Sequence, residues 1–223
     1  MHVFLAGASR GVGREVAKIL LPQGHQVTAL LRSEAAKPEL EAMGAAIALA
    51  DALDAAAVEQ AMSASQPLQA VISTIGGLPQ NDEGQRADSL GNKNLMDAAV
   101  KLGVNRFILV SSIGTGQSEV ALPPRAKEVL GPILMEKEKA EQHLIASGLT
   151  YTIVRPGGLK SEPATGHGVL TEDYRVSGWI HRADVAQLIC ACLFSDRAHY
   201  KVLSALDAQA VNTETSFEVF ELG

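Results

Sequence analysis

The sequence predicts an α/β fold built on a doubly wound parallel sheet, and three observations carry that prediction. A short apolar run, Val3-Phe4-Leu5-Ala6, leads directly into a glycine-punctuated turn and then into Val12, Val16, Ile19 and Leu20 at helical spacing. A glycine that stops a helix and precedes an apolar run recurs at Gly24, Gly103 and Gly148. Glycine just past a helix takes the left-handed conformation cheaply, so the chain can return to the same sheet each time. Most candidate strands are also continuous apolar runs, the pattern of strands covered by helices on both faces.

Taken in order, the strands are expected at Val3 to Ala6, Gln26 to Leu31, Ala46 to Leu49, Ala70 to Thr74, Arg106 to Val110, Tyr151 to Val154 and Lys201 to Ser204. Right-handed crossovers between them place a ligand crevice at the carboxyl ends of the strands. Residues 160–177 lack clear periodicity and contain Pro163, Gly166 and Gly168. Loops of that length often cover binding sites, so residues 160–180 are read as a lid on the substrate side. Val185, Leu188 and Ile189 mark a late helix.

A chain of 223 residues with 47% hydrophobic content supports one well-filled core, and residues 1–223 are read as a single domain. The net charge of −6 and pI near 5.5 leave no basic stripe for a nucleic-acid backbone. Aromatic content of 4% gives no platform for stacking single-stranded bases. Cys190 and Cys192 lie two apart in a helix, where side chains point to different faces, so they are read as core residues rather than a disulfide or metal pair. The histidines lack metal spacing, and His167 and His181 are only weak candidates for a proton donor. No run reaches a membrane span and no secretory signal is seen, so a cytoplasmic protein without a membrane partner is expected.

Gly7, Gly11 and Gly13 form G-x-x-x-G-x-G between the first strand and the first helix. Missing Cβ atoms there permit a tight turn, close approach of a ligand and close helix–strand packing. The amino end of the helix, with Ser9, Arg10 and Val12 around it, suits a pyrophosphate, so a dinucleotide is the expected ligand. Arg32 ends strand two where an acid would accept hydrogen bonds from the ribose of NAD. A guanidinium pairs instead with a 2′-phosphate, and Arg10 can reach the same group, which favours NADP over NAD. Asp51, followed by Ala52, either hydrogen-bonds the adenine amino group or caps a helix. Thr74, Ile75, Gly76 and Gly77 leave strand four either as small residues that let the cofactor pass or as a plain turn.

With Gly7 to Gly13, Arg32, Val110-Ser111-Ser112, Lys137 and Arg155-Pro156-Gly157-Gly158-Leu159 in view, nearly the whole chain resembles the atypical short-chain dehydrogenase/reductase family. It looks closest to small NAD(P)-binding members labelled epimerase/dehydratase-like, and more distantly to biliverdin/flavin reductases and cofactor-sensing members. The segment Ile180-His181-Arg182-Ala183-Asp184-Val185-Ala186 is similar to the family's I-x-R-x-D-V-A. The resemblance implies a Rossmann-type doubly wound parallel sheet with helices on both faces and a small C-terminal substrate-side lobe. It also implies that Ser111 and Lys137 act at the nicotinamide end, with Pro156, Gly157 and Gly158 approaching from the other side. Lys137 would hold ribose hydroxyls, and Ser111 would orient a carbonyl or bond the carboxamide. An exposed helix lysine and a serine satisfying backbone are the alternatives.

The family's Tyr-x-x-x-Lys is broken here. Ile133 stands four residues before Lys137, and Met135 four before Lys139. Of the three tyrosines only Tyr174, in the lid, is placed where it could swing into the crevice, and it is not read as the proton donor, while Arg182 and Asp184 are read as a structural ion pair, with Asp184 also capping its helix. The expectation is an NADPH-dependent reductase of a small carbonyl, quinone or flavin-like acceptor. A non-catalytic NADP(H) redox sensor is the first alternative, and a nucleotide-sugar epimerase or dehydratase the second. The sequence names neither the small-molecule substrate nor whether the protein is a monomer or a homodimer.

Overall fold

In the computed structural model, which describes residues 1–76, 87–212 and 216–223, the opening apolar run forms the inner strand β1 (His2–Ala6). The chain then alternates through α1 (Gly11–Leu20), β2 (Gln26–Leu31), α2 (Lys37–Ala42), β3 (Ala46–Leu49), α3 (Ala55–Ala64) and β4 (Ala70–Ser73). A π-helical turn (Ala87–Gly91) runs into α4 (Asn92–Lys101), followed by β5 (Arg106–Val110), α5 (Pro124–Ala146) and β6 (Thr150–Pro156). Three short strands, β7 (Gly158–Lys160), β8 (Gly168–Thr171) and β9 (Trp179–His181), precede α6 (Arg182–Leu193) and β10 (Lys201–Asp207).

Among the described residues the main sheet has eight strands in the order β3-β2-β1-β4-β5-β6-β10-β8, parallel throughout except for β8 against β10. Strand order reverses between β1 and β4, the switch point beside which such sheets open a crevice at their carboxyl ends. This is a Rossmann-type α/β fold.

Successive side chains of a strand face opposite sides, and both sides are filled. Val3 and Leu5 of β1 pack in a cluster that includes Val16 and Leu20 of α1 and Val185 and Ile189 of α6. Phe4 and Ala6 face the other layer, with Met62 of α3, Leu95 of α4 and Leu144 of α5. Strands buried on both faces read as unbroken apolar runs, which is why they were visible in the sequence. Gly24, Gly103 and Gly148 take φ of +81°, +71° and +79°, the left-handed conformation expected of them. Cys190 and Cys192 are free thiols buried in α6. Burial pushes both up to about 12, with the neighbouring Cys192 sulfur adding to the effect on Cys190.

Residues 160–180 are more regular than an irregular lid. Residues 168–171 form an edge strand of the main sheet, Ser204 opposite Thr171 and Asp207 opposite Gly168, with Leu170 and Thr171 buried. Lys160 pairs with His181 where β7 and β9 form a separate parallel pair. Strands of three and four residues are too short to display a period, and partners far along the chain set them. No helix among the described residues is long and apolar enough to cross a membrane.

Candidate functional site

A groove of about 700 Å³ opens at the switch point. Its floor begins with the turn from β1 to α1, where Gly7 and Gly11 take φ of +93° and +60°. Gly13 is required by packing: a Cβ there would meet the Gly7 carbonyl oxygen at 2.4 Å and the Thr74 Oγ1 at 2.6 Å. Thr74 donates from Oγ1 to the carbonyls of Ala6 (3.2 Å) and Gly7 (3.3 Å), fixing the end of β4 under the turn. Arg14 donates to the Ser9 carbonyl and pairs with Glu39 at 2.9 Å, holding the turn from behind.

Helix α1 starts at Gly11 with no capping side chain and no acid in its first turn. By contrast α3 is capped by Asp54, whose carboxylate accepts from the Ala57 N–H at 3.0 Å. An uncapped helix start in a groove lined by Ser9, Arg10, Gly11 and Val12 leaves amide N–H groups and the positive dipole end available to an anion.

On one side of the turn the groove is lined by Leu30, Leu31, Arg32, Ala50, Asp51, Ala52 and Leu53. Asp51 Oδ1 accepts from the Leu53 N–H at 3.0 Å in a local turn, and the cap of α3 is Asp54. Asp51 is therefore not the helix cap, and it stands at the groove.

On the other side lie Thr74, Ile75, Gly76, Asp88, Ser111, Ile133, Lys137, Leu159 and Arg182. Ile133 and Lys137, one helical turn apart, both face the groove, so the side chain one turn before the lysine is an isoleucine and not a phenol. Lys139 instead pairs with Glu136 at the surface, and Met135 is exposed, so of these two lysines it is Lys137 that faces the groove. Lys137 Nζ lies 2.8 Å from Asp88 Oδ1, with the Asp88 side chain 1% exposed and that of Lys137 15% exposed. A Cβ on Gly76 would fall 2.3 Å from that carboxylate oxygen, so only glycine lets the chain cross this pair. Ser111 is buried at the end of β5, and its hydroxyl donates to Thr115 Oγ1 at 3.3 Å rather than to backbone.

Several expected residues lie elsewhere. Pro156, Gly157 and Gly158 do not line the groove: a Cβ on Gly157 would strike the Gly178 carbonyl at 2.4 Å, and one on Gly158 the Trp179 ring at 2.4 Å. These glycines make room for the segment leading into β9. Tyr174 is exposed and absent from the lining, and His181 Nδ1 is bonded to the Pro163 carbonyl at 2.7 Å. Arg182 and Asp184 do not pair. Asp184 is buried and accepts from the N–H groups of Thr165 and Gly166, both at 2.9 Å, tying the start of α6 to the segment before β8. Gly77 lies outside the described residues. No cluster of His, Cys, Asp and Glu suited to a metal occurs among those described.

Asp88 was missed by sequence reasoning, and Arg182 was noticed for the wrong contact. Asp88 sits in no local motif, Arg182 lies in the I-x-R-x-D-V-A segment, and each reaches the groove through the fold. Together the lining carries Arg10, Arg32, Lys137 and Arg182 against Asp51 and Asp88, a basic groove in a chain of net charge −6. The uncapped helix start, the glycine turn and this charge fit a pyrophosphate dinucleotide.

Residues 7–196 match the family model described as NAD(P)H-binding. The chain is 36% identical over 196 residues to a Bacillus subtilis (strain 168) protein named uncharacterized sugar epimerase YhfK, covering 86% of this chain and 88% of that one. It is 32% identical over 227 residues to sanguinarine reductase of Eschscholzia californica, covering 84% and 82%. Among solved structures, ChuY, an anaerobilin reductase from Escherichia coli O157:H7, superposes with a TM-score of 0.85 at 33% identity, covering 97% of this chain and all 100% of that one.

Proposed function

The chain belongs to the atypical short-chain dehydrogenase/reductase family, and from that premise we propose that it is an NADPH-dependent reductase of a small carbonyl, quinone or flavin-like acceptor. Two relatives named as reductases support the class. One observation carries the choice of acceptor: Ile133, not a phenol, faces the groove beside Lys137. A bound NADPH would supply a hydride, and an acceptor that takes its proton from water needs no tyrosine. Lys137, held by Asp88, then serves as a fixed cation near the nicotinamide ribose, and Ser111 as a hydroxyl at the reacting end. NADP is favoured over NAD because Arg32 lines the groove beyond β2, with Arg10 on the facing turn. The cytoplasmic placement expected from the sequence belongs to the same proposal.

The test is NADPH oxidation by the purified protein with flavins, quinones, aldehydes, anaerobilin and sanguinarine. Turnover of at least one is expected, and a flat response to all of them refutes the reductase. The same isoleucine favours one other reading, a redox sensor that binds without turnover. That reading requires NADP and NADPH to bind with different affinities, since a ligand shifts a conformational equilibrium only through differential binding. Epimerisation is the least favoured, because Ile133 cannot remove a hydroxyl proton.

A further inference from the structure

Arg182 opens α6, yet its side chain lies over the start of α1. A Cβ on Gly11 would sit 3.6 Å from Arg182 Nε and 3.7 Å from its Cδ. The guanidinium uses one nitrogen on the substrate-side strand: NH1 donates to Ser161 Oγ at 2.7 Å and to the Leu159 carbonyl at 3.3 Å. Leu159 also lines the groove.

Three guanidinium groups meet carboxylates, Arg14 with Glu39, Arg155 with Glu141 and Arg175 with Asp173, while Arg106 is held by backbone carbonyls and Thr152 inside the core. Arg182 makes no ion pair among the described residues, although the chain carries 25 Asp and Glu against 19 Lys and Arg. A cation without a carboxylate, set over a glycine whose missing side chain leaves the space open, is placed for an anion that arrives with a ligand. Gly11 is also where the uncapped helix begins, so both positive elements converge on one spot.

We propose that Arg182 is a bridging clamp: its Nε and NH2 face the dinucleotide pyrophosphate while NH1 holds β7, so that filling the phosphate site and seating Leu159 at the substrate end are coupled. This rests on the dinucleotide-binding reading of the groove. The pyrophosphate is common to NADPH and NADH, so Arg182 acts on both cofactors alike, whereas Arg32 is assigned to the 2′-phosphate of one.

The structure supplies its own reporter. Trp179, the single tryptophan, pairs with Gly158 across β7 and β9, and its ring rests where a Gly158 side chain would be. The experiment is calorimetric titration of the full chain and its Arg182→Gln and Ser161→Ala variants with NADPH, NADH and inorganic pyrophosphate, with Trp179 emission followed in parallel. Loss of charge-assisted hydrogen bonds predicts about 10- to 100-fold weaker binding of both dinucleotides to Arg182→Gln, and loss of measurable pyrophosphate binding. Ser161→Ala keeps the guanidinium, so it should bind both dinucleotides within about threefold of wild type while its Trp179 response shrinks.

Wild-type protein that binds neither dinucleotide overturns the groove reading itself. Wild-type binding matched by Arg182→Gln overturns the clamp alone, as does an Arg182→Gln variant that loses thermal stability but keeps its affinities, the signature of a purely structural strap. If Arg182→Gln does not fold, Arg182→Lys takes its place. Retained charge without the planar fork then predicts intermediate affinity for both dinucleotides, and unchanged affinity refutes the clamp.

Discussion

Replacing Lys137 by methionine tests whether the Asp88–Lys137 pair is a fixed element of the groove. The ammonium lies 2.8 Å from a carboxylate that is 1% exposed, and the lysine itself is 15% exposed. Breaking a buried pair from one side costs about 3–5 kcal/mol because the remaining charge loses that attraction in a poorly hydrated site. Lys137 faces a groove that water enters, so the lower end applies, about 3 kcal/mol for Lys137→Met. In a chain of this size 1 kcal/mol moves Tm by about 2–4 °C, which puts the expected drop at about 6–12 °C.

Asp88→Asn should be milder, about 1 kcal/mol, because the ammonium left behind faces the groove and can be hydrated. The double variant should recover about 2 kcal/mol relative to the sum of the singles, since it leaves neither charge behind. Thermal and urea unfolding of the ligand-free protein, with coincident probes to check two-state behaviour, measure all three. A Lys137→Met cost below about 1 kcal/mol, or strict additivity in the cycle, would refute the reasoning.

Three further outcomes are expected. Gly13→Ala puts a Cβ 2.4 Å from the Gly7 carbonyl, where only backbone can yield, so it should lose about 3 kcal/mol in urea unfolding; Gly24→Ala, with nothing within 4 Å and φ of +81°, should lose only about 1 kcal/mol. Arg32→Ala should weaken NADPH binding by about 10- to 100-fold in calorimetry and leave NADH within about twofold; equal losses would argue against a 2′-phosphate contact. Burial raises the Cys190 and Cys192 thiols to about 12 in the folded state, so the stability they favour is complete below the unfolded value near 9 and is lost as pH rises toward 12. Between pH 9 and 10 the two thiols should remove about 2 kcal/mol in total, and Cys190→Ala should halve that slope.

The parallel sheet was legible because its information is local. Strands such as Phe107-Ile108-Leu109 are buried on both faces and announce themselves as apolar runs, and Gly103 and Gly148 mark the returns. The strands β7, β8 and β9 were illegible for the opposite reason. Val169 and Leu170 gain their partners only when Leu206 and Ala205 of β10 arrive from more than thirty residues away, and a four-residue edge leaves no period to read.

The same distinction divides the groove. Its phosphate turn is one continuous segment, so Gly7, Gly11 and Gly13 predict both the bend and the helix start, and Arg32 follows from the end of a recognisable strand. The rest of the groove is assembled from β4, the turn before α4, β5, α5 and the start of α6, and no spacing in the sequence relates Asp88 to Lys137 or Arg182 to Gly11. Local patterns are also ambiguous there: Gly157 and Gly158 follow a proline at a strand end, as a ligand-facing turn would, and the atoms they make room for belong to Gly178 and Trp179. A missing Cβ records close approach and is silent about what approaches. Only the neighbour decides that, and at Gly11 the neighbour is a guanidinium without a carboxylate among the described residues, which makes that glycine, rather than the pair after Pro156, the one whose open space points to an anion.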